Sequence, residues 1–319
     1  CSLPPAGAHS ALRAAGRALM PDQDPGAMDA RAVRRHFARA AATYDGAAVL
    51  QREVGRRMAE RLDVVKLAPA AILDAGCGTG DAQAELGIRY PGARRVALDV
   101  ALPMLAVAKA KAGQRRSAFF RVFSAFTGGT GGETDFVCGD VAALPFAAGT
   151  FDLAWSNLML QWVGDLPGAL AELCRVLRAD GLVTFSTFGP DTLRELRAAF
   201  AGVDRHMHVG RFTDMHDIGD MLVRAGFGDP VMHMELFTLT YADAPAMLRD
   251  LKAIGATNAT WARPRALMGR GRWERALASL ETARRGGRIP ATFEVIYGHA
   301  WKVSPKRTAE GHAIVRFGM

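Results

Sequence analysis

Three carboxylates stand where short apolar runs give way to a glycine or a turn. Asp74 opens the string Asp74-Ala75-Gly76-Cys77-Gly78-Thr79-Gly80, Asp99 closes Arg95-Val96-Ala97-Leu98-Asp99, and Asp140 follows in Cys138-Gly139-Asp140-Val141. Glycine at alternate positions permits a tight turn and lets a ligand lie against bare backbone. The G-x-G-x-G spacing is weak alone, because dinucleotide-binding enzymes use the related G-x-G-x-x-G. The preceding carboxylate is the sharper sign. A pyrophosphate gains nothing from Asp74, whereas a cationic, phosphate-free ligand does. Asp99 lies 19 residues beyond Gly80, where a carboxylate accepts hydrogen bonds from both hydroxyls of a ribose. Asp140 is placed to meet an adenine amino group. Each carboxylate alone reads as a cap or turn residue; three at successive strand ends do not.

These positions need elements to hold them. Apolar spacing predicts helices over 31–65, then a buried strand at 70–73 that runs into the glycine turn. A helix follows over 81–90, a strand over 95–99 and a helix over 103–111, with Pro103 suited to a first turn. Residues 113–134, aromatic and basic before a glycine stretch, read as an insertion. Strands at 135–138 and 151–156, a helix at 166–177 and a strand at 182–188 complete a βαβ rhythm. Beyond come helices at 191–201 and 214–225, a strand at 230–240, helices at 244–254 and 273–283, and a strand at 292–301. The fold class expected is α/β: a doubly wound, mainly parallel, seven-stranded Rossmann-like sheet. Its last two strands are expected to pair antiparallel, with a helical insert between them. The corresponding divisions are a disordered leader (1–28), N-terminal lid helices (29–66), a nucleoside-binding core (67–240), a helical substrate insert (241–290), the final strand (291–303) and a tail (304–319). The leader, with Arg13, Arg17 and no acidic residue up to Met20, faintly resembles a transit peptide; Met28 offers an alternative start.

Together the glycine turn and the three carboxylates resemble the class I S-adenosylmethionine-dependent methyltransferases over Ala70 to Phe188. The resemblance implies a cofactor site at Asp74, Gly76, Cys77, Gly78, Gly80, Asp99, Val100, Met104, Asp140, Val141 and Asn157. Ser156-Asn157-Leu158-Met159-Leu160-Gln161-Trp162 is not the N-P-P-Y tetrad of base methyltransferases. Farther out, Arg35-His36-Phe37-Ala38-Arg39-Ala40-Ala41-Ala42-Thr43-Tyr44-Asp45, Trp155 to Leu158 with Gln161-Trp162, and His208 to Phe212 are similar to the malonyl-acyl-carrier-protein O-methyltransferases of biotin synthesis. So, above all, is Leu251-Lys252-Ala253-Ile254-Gly255-Ala256-Thr257-Asn258. A second family fits Pro290 to Phe293, Tyr297, Trp301 and Ala313 to Gly318: the methyltransferase-like assembly factors of respiratory complex I, which hydroxylate a protein arginine. The insertion at 113–134 departs from both.

The first resemblance implies methyl transfer to the free carboxylate of a malonyl thioester on acyl carrier protein. That oxygen is ionised near neutral pH, so no general base is needed and alignment does most of the catalysis. Arg211, Tyr44, Gln161 and Lys252 are the candidate acceptor-side residues, Arg211 because a guanidinium grips a carboxylate through two hydrogen bonds. His206, His208, His216 and Asp214 read as loop and cap residues, and no metal is expected.

Charge supplies a partner argument. There are 40 basic and 32 acidic residues, a net charge of +8. Eight arginines between Arg263 and Arg288 (263, 265, 270, 272, 275, 284, 285, 288) face only Glu274 and Glu281, which predicts a basic face suited to an acidic carrier protein. No aromatic-interleaved basic motif points to nucleic acid. No apolar run reaches the roughly 20 residues that span a bilayer, and four scattered cysteines show no C-x-x-C spacing. A cytoplasmic enzyme is the expectation.

Overall fold

The computed structural model describes residues 26–123, 133–264 and 266–304. The N-terminal helices come first: α1 (Ala30–Ala40), α2 (Tyr44–Ala47) and α3 (Val49–Arg61). Asp29 starts α1 by accepting the Arg31 and Ala32 N–H groups at 3.1 and 3.2 Å, donors that a helix start otherwise leaves unsatisfied. The core then alternates: β1 (Ala71–Ala75), α4 (Ala82–Arg89), β2 (Arg94–Asp99), α5 (Leu102–Phe123), β3 (Thr134–Cys138), β4 (Phe151–Asn157), α6 (Leu166–Val176), β5 (Leu177–Phe188), α7 (Arg194–Ala201), α8 (Met215–Arg224) and β6 (Phe227–Tyr241). The insert contributes α9 (Ala244–Ala253) and α10 (Arg270–Glu281) before β7 (Ile289–Lys302).

All seven strands share one sheet, in the order β3-β2-β1-β4-β5-β7-β6. β1 to β5 pair in parallel; β7 runs antiparallel between β5 and β6. Chain order reverses between β1 and β4, and in such sheets ligands settle beyond the carboxyl ends of strands at that switch. The middles of the central strands β1, β4 and β5 are largely apolar and buried because both sheet faces are covered there. Leu73, Val96, Ala154 and Val183 pack under α6 and α8 on one side; Ile72, Leu153 and Leu182 join α3 and the insert on the other.

Some boundaries differ from those expected. α5 does not stop at Lys111 but runs to Phe123, since Ala112 to Phe123 holds Ala, Gln and three Arg and no proline to end the helix. The rest of the insertion, 124–132, lies outside the described residues, as do 1–25 and the tail from 305. The end of the expected leader belongs to the fold: Met28 bridges Thr260, and Ala27 O accepts the Trp261 N–H at 3.0 Å. α7 starts three residues late because Leu193 takes a left-handed φ of 55°. β5 starts early, at Leu177, where it pairs with Phe151.

Candidate active site

β1 ends at Ala75, and the chain turns through Gly76, Gly78 and Gly80 at φ of 79°, 53° and 78°, conformations that a Cβ disfavours. Two of these glycines serve packing. A Cβ on Gly76 would collide with the Met159 side chain, and one on Gly80 would lie 2.9 Å from the Ala108 Cβ on α5. Gly78 is open: its nearest neighbour is the edge of the Tyr44 ring at 4.0 Å. A flat ligand can therefore lie on its backbone.

The Asp99 carboxylate, buried at the end of β2, accepts the Gly78 N–H at 2.9 Å through one oxygen and the Ala101 N–H at 2.8 Å through the other. Burial raises its pKa, and these N–H groups pull it back. Each oxygen keeps a lone pair, which fits a pair of ribose hydroxyls. Asp140, exposed beyond β3, accepts the Ala142 N–H at 3.0 Å through Oδ1. Val141 is buried behind it, Val100 is half-buried, and Met104 is fully buried against Ala40, Ala41 and Ala101. The Cys77 thiol is pushed up by burial. Asp74 is almost wholly buried, and its Oδ2 accepts Gln83 Nε2–H at 2.6 Å. Burial raises its pKa to about 7, with Asp99 and Asp81 adding to the effect and Gln83 opposing it. Asn157 is placed in the floor: its Nδ2 donates to Gln51 O at 2.9 Å, and its Oδ1 accepts Ser186 Oγ–H at 2.7 Å. It clamps the end of β4 to α3 and β5.

The N-terminal helices close over this cradle through residues that sequence reasoning did not single out. Asp45 accepts Thr79 Oγ1–H at 2.6 Å and pairs with Lys111 at 2.7 Å, and Lys111 also pairs with Asp81 at 2.9 Å. Burial alone would raise the Asp45 carboxyl; Lys111 and Thr79 hold it below its ordinary value. Tyr44 beside it is pushed up by burial and then by Asp99, Asp81 and Asp45, so it stays a neutral hydrogen-bonding phenol.

Next to the cradle lies a cavity of about 90 Å³. Its roof joins the two distinctive strings of the sequence. Gly255 takes a φ of 76°, and a Cβ there would sit 3.1 Å from Phe37 and 3.2 Å from Ala40. Thr43 Oγ1–H donates to Ala253 O at 2.8 Å, and the His36 ring bonds Thr257 O at 3.2 Å. Asn258 accepts from Thr260 N and Oγ1 at 3.0 and 2.9 Å, and its Nδ2 donates to Met207 O.

Of the expected acceptor-side residues, Tyr44 and Gln161 line the cavity. Gln161 is tied down, donating to Leu158 O at 2.7 Å and accepting from Thr187 Oγ1 at 3.2 Å. Arg211 and Lys252 are exposed, although their neighbours Gly210, Phe212 and Leu251 are in the wall. Lys252 follows Leu251 on α9 and so leaves the buried face, as helical periodicity requires. Residues not foreseen also line the cavity: Gln51, Trp162, whose ring meets Phe37 edge-on at 5.2 Å, and His208, stacked on Phe200 at 4.3 Å. A wider hollow at Ala70, Arg94 and Arg178 lies at the opposite ends of the strands, away from all of these groups.

Residues 73–185 match the family described as a methyltransferase domain. The chain is 51% identical over 290 residues, 91% of its length, to a malonyl-acyl-carrier-protein O-methyltransferase from Gallionella capsiferriformans, covering 96% of that protein. It is 54% identical over 275 residues to the protein of the same name from Methylovorus sp., covering 86% of this chain and 90% of the relative. Among solved structures it resembles the YcgJ protein of a Bacillus, with a TM-score of 0.54 and 15% identity, covering 78% of this chain and 99% of the other. That likeness concerns the fold alone.

Proposed function

The chain belongs to the malonyl-acyl-carrier-protein O-methyltransferase family, and on that premise we propose that it methylates the free carboxylate of malonyl-acyl carrier protein. The methyl donor is S-adenosylmethionine, and the ester product primes pimeloyl and biotin synthesis. The observation that carries this reading is the position of Tyr44, whose ring edge would lie 4.0 Å from a Cβ on Gly78 and which also lines the cavity. One side chain thus borders both the glycine turn and the cavity assigned to the acceptor. The relatives named above give no support to the arginine-hydroxylase alternative.

The donor, when bound, supplies a methyl group on a cationic sulfur. Asp99 would hold the ribose hydroxyls, Asp140 the adenine amino group, and Asp74 the ammonium of the methionine end. The Gly78 backbone accommodates the nucleoside, with Met104 and Val141 packed beneath. No residue has to remove a proton, since the acceptor oxygen is already ionised at neutral pH. The protein aligns the reacting atoms and excludes water. The N-terminal lid does both, because Asp45 fixes it to Thr79 and α1 roofs the cavity.

Acyl carrier protein presents its thioester from outside, and the docking face we assign is narrower than residues 263–288. Arg263 is withdrawn from solvent and paired with Asp29 at 2.6 Å, so it is structural. Arg270 and Arg284 pair with Glu274 and Glu281, and Arg265 lies outside the described residues. Arg272, Arg275, Arg285 and Arg288 are exposed and have no carboxylate partner among the described residues. They make up the basic face.

Incubation with malonyl-acyl carrier protein and methyl-labelled S-adenosylmethionine tests the function. Base-labile label on the carrier is expected. Binding of the donor without ester formation would overturn the reading.

A further inference from the structure

The cavity wall holds a polar atom that the fold leaves without a partner. Gln51 lies in the first turn of α3, and its Oε1 is buried with no hydrogen-bond partner among the described residues. Its backbone carbonyl is already engaged by Asn157, so the side-chain amide has no evident structural duty. A buried amide oxygen without a partner is unfavourable, and Gln51 is itself one of the residues that line the cavity. Its oxygen and nitrogen ends exchange by a simple flip, which presents two N–H donors to a bound anion.

The other lining donors are largely engaged. Gln161 Nε2 is on Leu158 O, Asn258 Nδ2 on Met207 O, and Thr192 Oγ1 on Glu294 O at 3.1 Å. His208 is paired with Asp204 at 2.8 Å. Tyr44 OH and Trp162 Nε1 have no hydrogen-bond partner among the described residues, and no lysine or arginine appears in the described lining. For a site that binds a carboxylate, this lack of cations calls for a physical reason.

Resting on the function proposed above, we infer that Gln51 and Tyr44 hold the acceptor carboxylate through neutral hydrogen bonds, and that the lack of a cation among the described lining residues is part of the catalysis. The carboxylate oxygen forms a bond to the methyl carbon as the carbon–sulfur bond breaks, its electron pair leaving with sulfur. One negative and one positive charge vanish together. A fixed guanidinium would favour the charged reactant over a transition state in which that charge is fading, improving binding without improving rate. Neutral donors in a water-poor wall orient the oxygen while leaving the collapse of charge favourable.

Two variants test this against a purely structural role. Gln51→Met removes the unpartnered amide at similar volume, so thermal stability should hold or rise. Its kcat/KM for malonyl-acyl carrier protein should fall about 10- to 100-fold, the range for losing a hydrogen bond to a charged partner. Affinity for S-adenosylhomocysteine should not change. Gln51→Glu places a like charge beside the acceptor and should be nearly inactive at pH 8. It should recover as pH falls and the new carboxyl becomes a donor, with wild type as the reference for the titration of His208, Asp204 and Tyr44. Ester formation by wild type together with unchanged kcat/KM in both variants would overturn the inference and leave the methyltransferase reading intact. No ester from wild type would remove the reading itself.

Discussion

A carboxyl group withdrawn from solvent reports its neighbours through its protonation, and Asp74 is the clearest case. Burial lifts its pKa to about 7, above the ordinary carboxylate value near 4. Between those limits the folded chain holds a proton that the unfolded chain has lost. Folding is therefore opposed more strongly as pH rises through this window, by up to about 1.4 kcal/mol per pKa unit. An ammonium at this place would offset the effect. The thermal shift produced by S-adenosylhomocysteine should thus be larger at pH 8 than at pH 6, and Asp74→Asn should flatten the difference. Equal shifts in wild type at both pH values would remove Asp74 from the ammonium site. Asp74, Asp99 and Asp140 were legible in sequence because a residue that ends an apolar run has its place in a parallel sheet decided by local pattern. Gln51 was not, since nothing in Val49-Leu50-Gln51-Arg52 distinguishes it before α1 and the insert close above it. Arg211 was expected from the grip of a guanidinium on a carboxylate, and it takes an exposed position between Gly210 and Phe212 of the cavity wall.

Between helices, two of the polar contacts that join the lid to the rest each carry a prediction. The first is Asp45 with Thr79 and Lys111. Asp45→Asn should leave stability nearly unchanged, because the pair is partly exposed, yet speed dissociation of S-adenosylhomocysteine in stopped-flow measurements. An unaltered off-rate would mean that the lid does not retain the ligand. The second is Asp29 with Arg263, whose side chains are 7% and 12% exposed. Arg263→Ala leaves the Asp29 carboxylate buried without its cation, which should cost about 3–5 kcal/mol in urea unfolding. The double variant with Asp29→Asn should recover part of that loss. Element types and order were largely readable from periodicity, the insert included. The extension of α5 past Lys111 was not, because the aromatic cluster at Ser117 to Phe126 masked a helix-forming composition. The Asp29–Arg263 contact was hidden too: an ion pair 234 residues apart leaves no local trace.

For the molecule as a whole, charge and connectivity matter most. Changing Arg272, Arg275 and Arg285 to Glu should raise KM for malonyl-acyl carrier protein about tenfold at low salt and less at high salt, with donor affinity unchanged. A KM that ignores both the substitutions and the salt would place docking elsewhere. The fold class was evident early because the β1-to-β5 half of the sheet is local in sequence, whereas the acceptor cavity depends on contacts that only the finished chain makes. Thr43 meets Ala253 across 210 residues, while the glycine turn, Asp99, Asp140 and Lys111 all lie within the first half. Chains emerge from the ribosome N-terminal end first, at about 5–20 residues per second, so roughly ten seconds separate Lys111 from the residues that roof the cavity. During that interval a nascent chain has the parts of a donor site but no dry acceptor chamber. Its lid helices must wait beside an unfinished sheet for a partner that has not yet been made.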